Sequence, residues 1–350
     1  MNEKRNIAFV FPYRASFINL DLEILSRSFH LTENTYNWKK KSLIPAYLIK
    51  QFFFFLFHWR KFDHIIISFG GWWCLVPVIL GKISKTPTSI ILHGTDSCYI
   101  PEFNYGNLGK PLLKRILRYC YKNATVLLPV SESLIKTELK FLSSSIPNQG
   151  IKSFFPEIKT PYKVIFNGIN TEKWPLQEVE RDSHQFITVL SEGQFTRKGG
   201  ELILETAIKC PNLKFTFVGI TKEQQSFVAT VPENVSFIGR KTPEELKILY
   251  GKSKYYLQLS LFEGFGYALC EAMSSGCIPI VSSTNMLPEI VGDSGIIIDE
   301  NNSELLAQRL QDLVKDSKDY NGENSSIRIK SLYSIDSRKS SLINTISEYS

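Results

Sequence analysis

A chain of 350 residues, 43% hydrophobic, 13% aromatic and 21% charged, is long enough for about two folded domains and too apolar for low-complexity disorder. Its six cysteines (Cys74, Cys98, Cys120, Cys210, Cys270, Cys277) form no C-x-x-C pair, which excludes a disulfide scaffold and fits a reducing cytoplasm. The formal charge of +7 is unevenly placed: residues 1–170 carry 22 Lys/Arg against 10 Asp/Glu, and residues 171–350 carry 19 against 24. Opposite signs in the two halves suggest domains that face different partners.

The N-terminus places Glu3, Lys4 and Arg5 before a short apolar run ending at Pro12, too short for a secretory leader, so none is expected. Short apolar runs predict strands at Ile7–Phe11, His64–Phe69, Ser89–Leu92, Thr125–Val130 and Lys163–Phe166, with helices at Leu112–Asn123 and Glu132–Leu142. Between the first two strands lies a basic, phenylalanine-rich segment: Lys39-Lys40-Lys41, Lys50 and Arg60-Lys61 are interleaved with Phe52 to Phe55, Phe57 and Trp59. It reads either as a core helix with solvated ends or as an interfacial helix meeting an anionic membrane surface. Nucleic acid is not an expected partner, because four consecutive phenylalanines are too apolar for a base-stacking platform. From His64 to Gly81 no residue carries a formal charge, but Gly70-Gly71 and Pro77 break the run, so a buried strand and short helix are predicted instead of a membrane span.

The segment Ser143–Tyr162, rich in serine and proline, reads as a loop. The strand rhythm resumes at Phe186–Leu190, Lys214–Val218, Val235–Ile238, Tyr255–Leu259, Ile278–Val281 and Ile296–Ile298. Strands alternating with helices imply parallel sheets covered on both faces. Two such series meeting near Asn167–Trp174 predict an α/β chain of two doubly wound domains, with ligands beyond the carboxyl ends of the strands and hence in the cleft between the domains. The boundaries expected are 1–168, 169–330, and a C-terminal helix at 331–350 returning toward the first domain.

Several chemistries lack their residues. No G-x-G-x-x-G follows the first strand, and there is no P-loop, no H-E-x-x-H, no G-x-S-x-G and no clustered Cys/His set. Two loops carry more. In Phe262-Glu263-Gly264-Phe265-Gly266-Tyr267-Ala268-Leu269-Cys270-Glu271, a strand gives way to a glycine-bearing turn and a helix, with two glutamates eight positions apart. Glycines let the backbone approach a ligand, helix N-terminal amides favour phosphate oxygens, and carboxylates accept paired hydrogen bonds from sugar hydroxyls. In Ser191-Glu192-Gly193-Gln194-Phe195-Thr196-Arg197-Lys198-Gly199-Gly200, two cations precede a helix, where they can neutralise a departing phosphate.

Taken together and in order, these segments resemble the retaining glycosyltransferases of family 4, of GT-B architecture, from about Phe186 to Asp299. Glu263 to Glu271 is similar to that family's E-x7-E motif, and Ser275-Gly276-Cys277-Ile278-Pro279 continues it. Arg197-Lys198-Gly199 resembles its R-K-G loop, and Lys163 to Asn170 resembles its interdomain segment. Phe237 to Arg240, His93-Gly94-Thr95-Asp96 and Val130-Ser131 resemble further pieces. The resemblance implies two Rossmann-like domains facing each other across a cleft, and transfer of a sugar from a nucleotide-sugar donor to an acceptor hydroxyl with retention. It implies Lys198 and Arg197 on the leaving phosphate, and Glu263, Gly264, Phe265, Gly266 and Tyr267 on the sugar and diphosphate. Glu271 would hold the ribose, Arg240 would border the base, His93 would touch the sugar, and Asn19 and Asp96 would lie on the acceptor side. No cofactor and no active-site metal are expected. The partners implied are a nucleotide sugar and a glycan or lipid-linked acceptor, with the enzyme cytoplasmic and peripheral on the inner face of a membrane. The sequence departs from the family where an arginine commonly precedes the phosphate lysine by five or six positions (here Gly193 and Glu192), and in lacking a glycine pair after the first strand. An epimerase on the same fold and a non-catalytic sugar-nucleotide-binding protein are the alternatives.

Overall fold

Runs such as Ile65-Ile66-Ile67 and Ser89-Ile90-Ile91-Leu92 are buried on both sides, the pattern of strands covered by helices above and below. The computed structural model describes residues 4–221, 231–315 and 320–349. It divides into two units: the chain to Glu138, Ser144–Gly168 and the chain from Asp336 form the first; Leu139–Ser143 and Ile169–Ile335 form the second.

The first unit carries β1 (Asn6–Val10), α1 (Ser16–Ser28), β2 (His30–Asn34), α2 (Ile44–Phe57), β3 (His64–Ser68), α3 (Leu75–Ser84), β4 (Thr88–Leu92), α4 (Pro111–Asn123) and β5 (Val126–Pro129). These five strands pair in parallel in the order β2-β1-β3-β4-β5, so the strand order reverses beside β1. Helix α4 shows why such segments fold as they do. Pro111 opens it, and Leu113, Leu117, Cys120 and Tyr121 form one buried stripe.

Three sequence expectations change here. The segment Glu132–Leu142 is not a helix: one tight turn at Glu132–Leu134 leads to β6 (Thr137–Glu138), which pairs antiparallel with β7 (Asn148–Gln149). Its carbonyl at Ile135 accepts from Lys152, and burial at Ile135, Leu139 and Phe141 follows a period of two. The Ser143–Tyr162 segment accordingly holds β7 and a turn of helix, α5 (Ile151–Phe154). Residues Lys163–Phe166 run beside β5, donating from Lys163 to Leu127 (3.0 Å) and from Ile165 to Pro129 (2.9 Å), but lengthen into no strand. Strand β2 was missed because His30-Leu31-Thr32-Glu33-Asn34 is an edge strand with polar residues and little burial.

The second unit runs β8 (Asp182–Val189), α6 (Gly200–Lys209), β9 (Lys214–Val218), β10 (Val235–Ile238), α7 (Pro243–Lys252), β11 (Ser253–Gln258), α8 (Tyr267–Ser274), β12 (Ile278–Ser282), α9 (Leu287–Val291), β13 (Ile296–Ile298), α10 (Ser303–Lys315) and α11 (Gly322–Leu332). Its parallel sheet has the order β10-β9-β8-β11-β12-β13, the 3-2-1-4-5-6 order of a Rossmann sheet. The order reverses between β8 and β11, and in such sheets the crevice beyond the carboxyl ends at that point takes the ligand. Helix α12 (Ile335–Tyr349) carries the chain back into the first unit, where Arg338 forms a fully buried bidentate pair with Asp21 (2.6 and 2.7 Å). Arg338 also donates to the carbonyls of Ile165 and Phe166, at 3.2 and 2.9 Å.

Candidate active site

The loops after β8 and β11, the two strands at the reversal, carry the two groups of residues singled out in the sequence. They are stitched together. Leu261 N–H donates to the Arg197 carbonyl (2.8 Å), and the Arg197 guanidinium donates to the Phe262 carbonyl (3.0 Å). Gly199 adopts φ +76° with the site of a Cβ only 2.0 Å from the Leu259 carbonyl oxygen, so only glycine allows the loop this close.

This contact brings Lys198 against Glu263: its ammonium donates to Glu263 Oε2, both side chains being about one-seventh exposed. The same carboxylate accepts from Gln258 Nε2 (3.0 Å) and from the Phe265 backbone amide. The Tyr256 hydroxyl supports Gln258 from behind, donating to Oε1 at 3.2 Å. Asn285, in the loop after β12, accepts from the Glu263 backbone amide at 3.1 Å. Burial pushes the Glu263 carboxyl up, but the Lys198 and Arg197 charges and the hydrogen bonds outweigh it and hold the carboxyl below its usual range. Burial lowers Lys198, with the Arg197 charge adding to it and Glu263 opposing.

Glu271 is different. It lies on α8, and its carboxylate has no hydrogen bond or ion pair among the described residues. Burial raises its pKa to about 7, with only the Lys173 charge pulling it down. Both glutamates act electrostatically on the Tyr256 hydroxyl and the Cys270 thiol, which places them around one neighbourhood. Gly266, at φ +112°, sits at the N-terminus of α8, where Tyr267 begins the helix.

The other expected site residues differ in exposure and in partners. Phe265 is 3% exposed, with its ring packed edge-on against Tyr333 at 5.9 Å; it offers its amide, not its ring. Gly264 is buried in the turn. Arg240 lies exposed beyond the edge strand β10, without an ion pair among the described residues. In the first unit, His93 follows β4 with its ring between Phe69 (4.2 Å) and Phe17 (4.8 Å) and its Nε2 3.0 Å from Ser68 Oγ. Burial, aided by the Arg338 charge, lowers its pKa well below the usual value, so the imidazole is neutral at neutral pH. Asp96, expected on the acceptor side from the resemblance, is fully buried and spent on the backbone. It accepts from the amides of Gly70 (2.8 Å), Gly94 (2.9 Å) and His93 (3.1 Å), tying the loops after β3 and β4 together. Burial raises it to about 6 against the pull of these donors. Asn19 is exposed on α1 and accepts from Arg14 at 3.3 Å.

Sequence reasoning missed Gln258 and Asn285. A glutamine closing the otherwise apolar Tyr255-Tyr256-Leu257 run was the available signal for the first. Asn285, at φ +51°, gave none beyond a turn.

Residues 172–325 match the family described as Glycosyl transferases group 1. The matched residues fall within the second unit. Among curated relatives, the chain is 37% identical over 84 residues to O-antigen chain mannosyltransferase B of Escherichia coli, a match over 24% of this chain and 22% of that one. It is 26% identical over 253 residues to an uncharacterised glycosyltransferase of Methanocaldococcus jannaschii, over 70% of this chain and 63% of that one. The matches thus span less than two thirds of either relative. Solved structures resemble the chain along its whole length: sucrose-phosphate synthase from Thermosynechococcus elongatus (TM-score 0.73, 13% identity, 99% of each chain) and Anabaena HepE in complex with UDP and glucose (TM-score 0.71, 14% identity, 98% and 99%). The fold is GT-B, with a Rossmann-like sheet in each of the two units.

Proposed function

We propose that the chain transfers a glycosyl group from a nucleotide-sugar donor to an acceptor hydroxyl with retention of anomeric configuration. The observation that carries this reading is a largely covered Lys198–Glu263 pair at the switch point of the second sheet, with Glu271, which has no hydrogen bond among the described residues, on the helix that follows. In the reaction, the bond between the anomeric carbon and the diphosphate oxygen breaks and a new bond to the acceptor oxygen forms, the acceptor's proton leaving with the diphosphate. Negative charge grows on the leaving phosphate, and Lys198, with Arg197 fixed next to it, lies ready to oppose that charge. Glu263, kept ionised by its donors, meets the sugar, while the amides at the start of α8 meet the diphosphate. Glu271, without a hydrogen bond among the described residues, takes the ribose hydroxyls. This scheme uses no cofactor and no active-site metal. The acceptor is a cell-surface glycan or lipid-linked saccharide, met at the inner face of a membrane. The mannosyltransferase relative and the HepE complex with UDP and glucose support the general class.

Thermal-shift screening with nucleoside diphosphates and nucleotide sugars identifies the donor, because a ligand that binds the native state raises its melting point. With that donor, Lys198→Ala is expected to lower kcat about 10²–10³-fold with a much smaller change in donor affinity. Loss of affinity with kcat intact would remove its role at the leaving group, and binding without transfer or hydrolysis would overturn the reading.

A further inference from the structure

Helix α2 is apolar on both faces, and only one of them is packed. Its inner face buries Ile44 and Phe55. Its rotation is fixed by Gln51, fully buried, whose Nε2 donates to Asn34 Oδ1 (2.8 Å) and the Trp73 carbonyl (3.2 Å). The outer face carries Ile49, Phe52, Phe53, Leu56 and Phe57, a helical repeat turned toward solvent, with Phe57 79% exposed. The rings form one surface, Phe53 lying 5.7 Å from Phe52 and 6.0 Å from Phe57. Six cations flank it (Lys39, Lys40, Lys41, Lys50, Arg60 and Lys61), all exposed, and no acidic residue occurs from Lys39 to Phe62. None of the six forms an ion pair among the described residues, although Lys39 lies 5.9 Å from the ring centre of Tyr13.

We infer that this face docks onto an anionic lipid bilayer. The five apolar side chains enter the acyl region while the cations meet lipid phosphates, with α2 lying in the plane of the interface. At 14 residues α2 is about 21 Å long, short of the ~30 Å hydrocarbon core, so it lies in the membrane surface and does not cross it. No described helix is long and apolar enough to span. A second copy of the chain is the poorer occupant, since a self-complementary contact would bring two sets of cations together with no carboxylate between them. The inference deepens the proposed function by naming the surface that reaches a membrane-borne acceptor, and it rests on that reading only for the acceptor.

Sedimentation of the full chain with vesicles tests it. Binding is expected to phosphatidylglycerol mixed into phosphatidylcholine, and at least about tenfold weaker binding to phosphatidylcholine alone or in high salt. Phe53→Ser/Phe57→Ser is expected to weaken partitioning by more than about tenfold. Its melting point should change little, because Phe57 is 79% exposed and Phe53 is about half exposed. Lys40→Gln, Lys41→Gln and Lys50→Gln should each weaken it about fivefold. Absence of wild-type binding, or binding indifferent to these substitutions, overturns the inference. So does a wild-type dimer in size-exclusion chromatography that the phenylalanine substitutions dissociate, which would assign the face to a second copy. Sugar transfer without vesicle binding overturns only the docking surface; vesicle binding without turnover of any nucleotide sugar overturns only the proposed reaction.

Discussion

Two carboxylates eight positions apart are shifted in opposite directions for a reason visible in their neighbours. Glu263 has a lysine, an amide side chain and a backbone N–H on it and stays ionised; Glu271 has burial and only a distant cation. The consequence for stability has a definite sign. Unfolded, Glu271 ionises in the ordinary range near 4.5; folded, near 7. Between those values the folded chain holds a proton that the unfolded chain has lost. Stability therefore falls as pH rises through this window, by up to about 3 kcal/mol, and levels off above it. Glu271→Gln should flatten this slope and leave the chain more stable than wild type above pH 7, as read from denaturant midpoints at several pH values. The same substitution should weaken nucleoside diphosphate binding, since one acceptor oxygen becomes a donor. A variant that is no more stable and binds as well would contradict both the pKa and the role.

At the scale of elements, the site depends on how closely the loop after β8 approaches β11. Gly199 and Gly193 make this testable as a pair, because both have positive φ (+76° and +72°) but different surroundings. A Cβ at Gly199 would strike the Leu259 carbonyl, whereas one at Gly193 meets nothing within 4 Å. Gly193→Ala should cost only the left-handed strain of about 1–2 kcal/mol. Gly199→Ala should cost more and also lower kcat, because the loop must withdraw and take Lys198 from Glu263. Equal effects on the melting point and on turnover would show that the close approach is not what places the lysine. Element type was largely legible in the sequence, since nine of the eleven parallel strands begin within two residues of where the apolar runs predict. It failed where pattern and partner disagreed, at the polar edge strand β2 and at Glu132–Leu142, whose alternating burial belongs to extended chain.

For the molecule as a whole, the telling contact is the one that no local pattern announces. Asp21 and Arg338 lie 317 positions apart and are both fully buried, so neither charge has water to fall back on. Removing one partner strands the other, at a cost of about 3–5 kcal/mol. Arg338→Ala also leaves the Ile165 and Phe166 carbonyls without their donor. Either Asp21→Ala or Arg338→Ala should lower the melting point by roughly 10 °C, whereas breaking the exposed Arg27–Glu23 pair should shift it hardly at all. A small effect at both buried positions would mean that α12 is held by its apolar face alone.

The sequence by itself determined the class of fold, the division of charge between the halves, and the two loops that carry chemistry. These are properties of local periodicity, composition and spacing, which a chain carries before it folds. Only the tertiary structure decided that Lys198 meets Glu263, that Gln258 and Asn285 fix that glutamate, that Asp96 is spent on backbone amides, and that Phe52, Phe53 and Phe57 of α2 point outward while Phe55 points in. Each of these depends on which residues the strand order brings side by side, and on which face of a helix is already packed. One-dimensional pattern is silent on both, because pairing across a parallel sheet joins segments separated by whole helices.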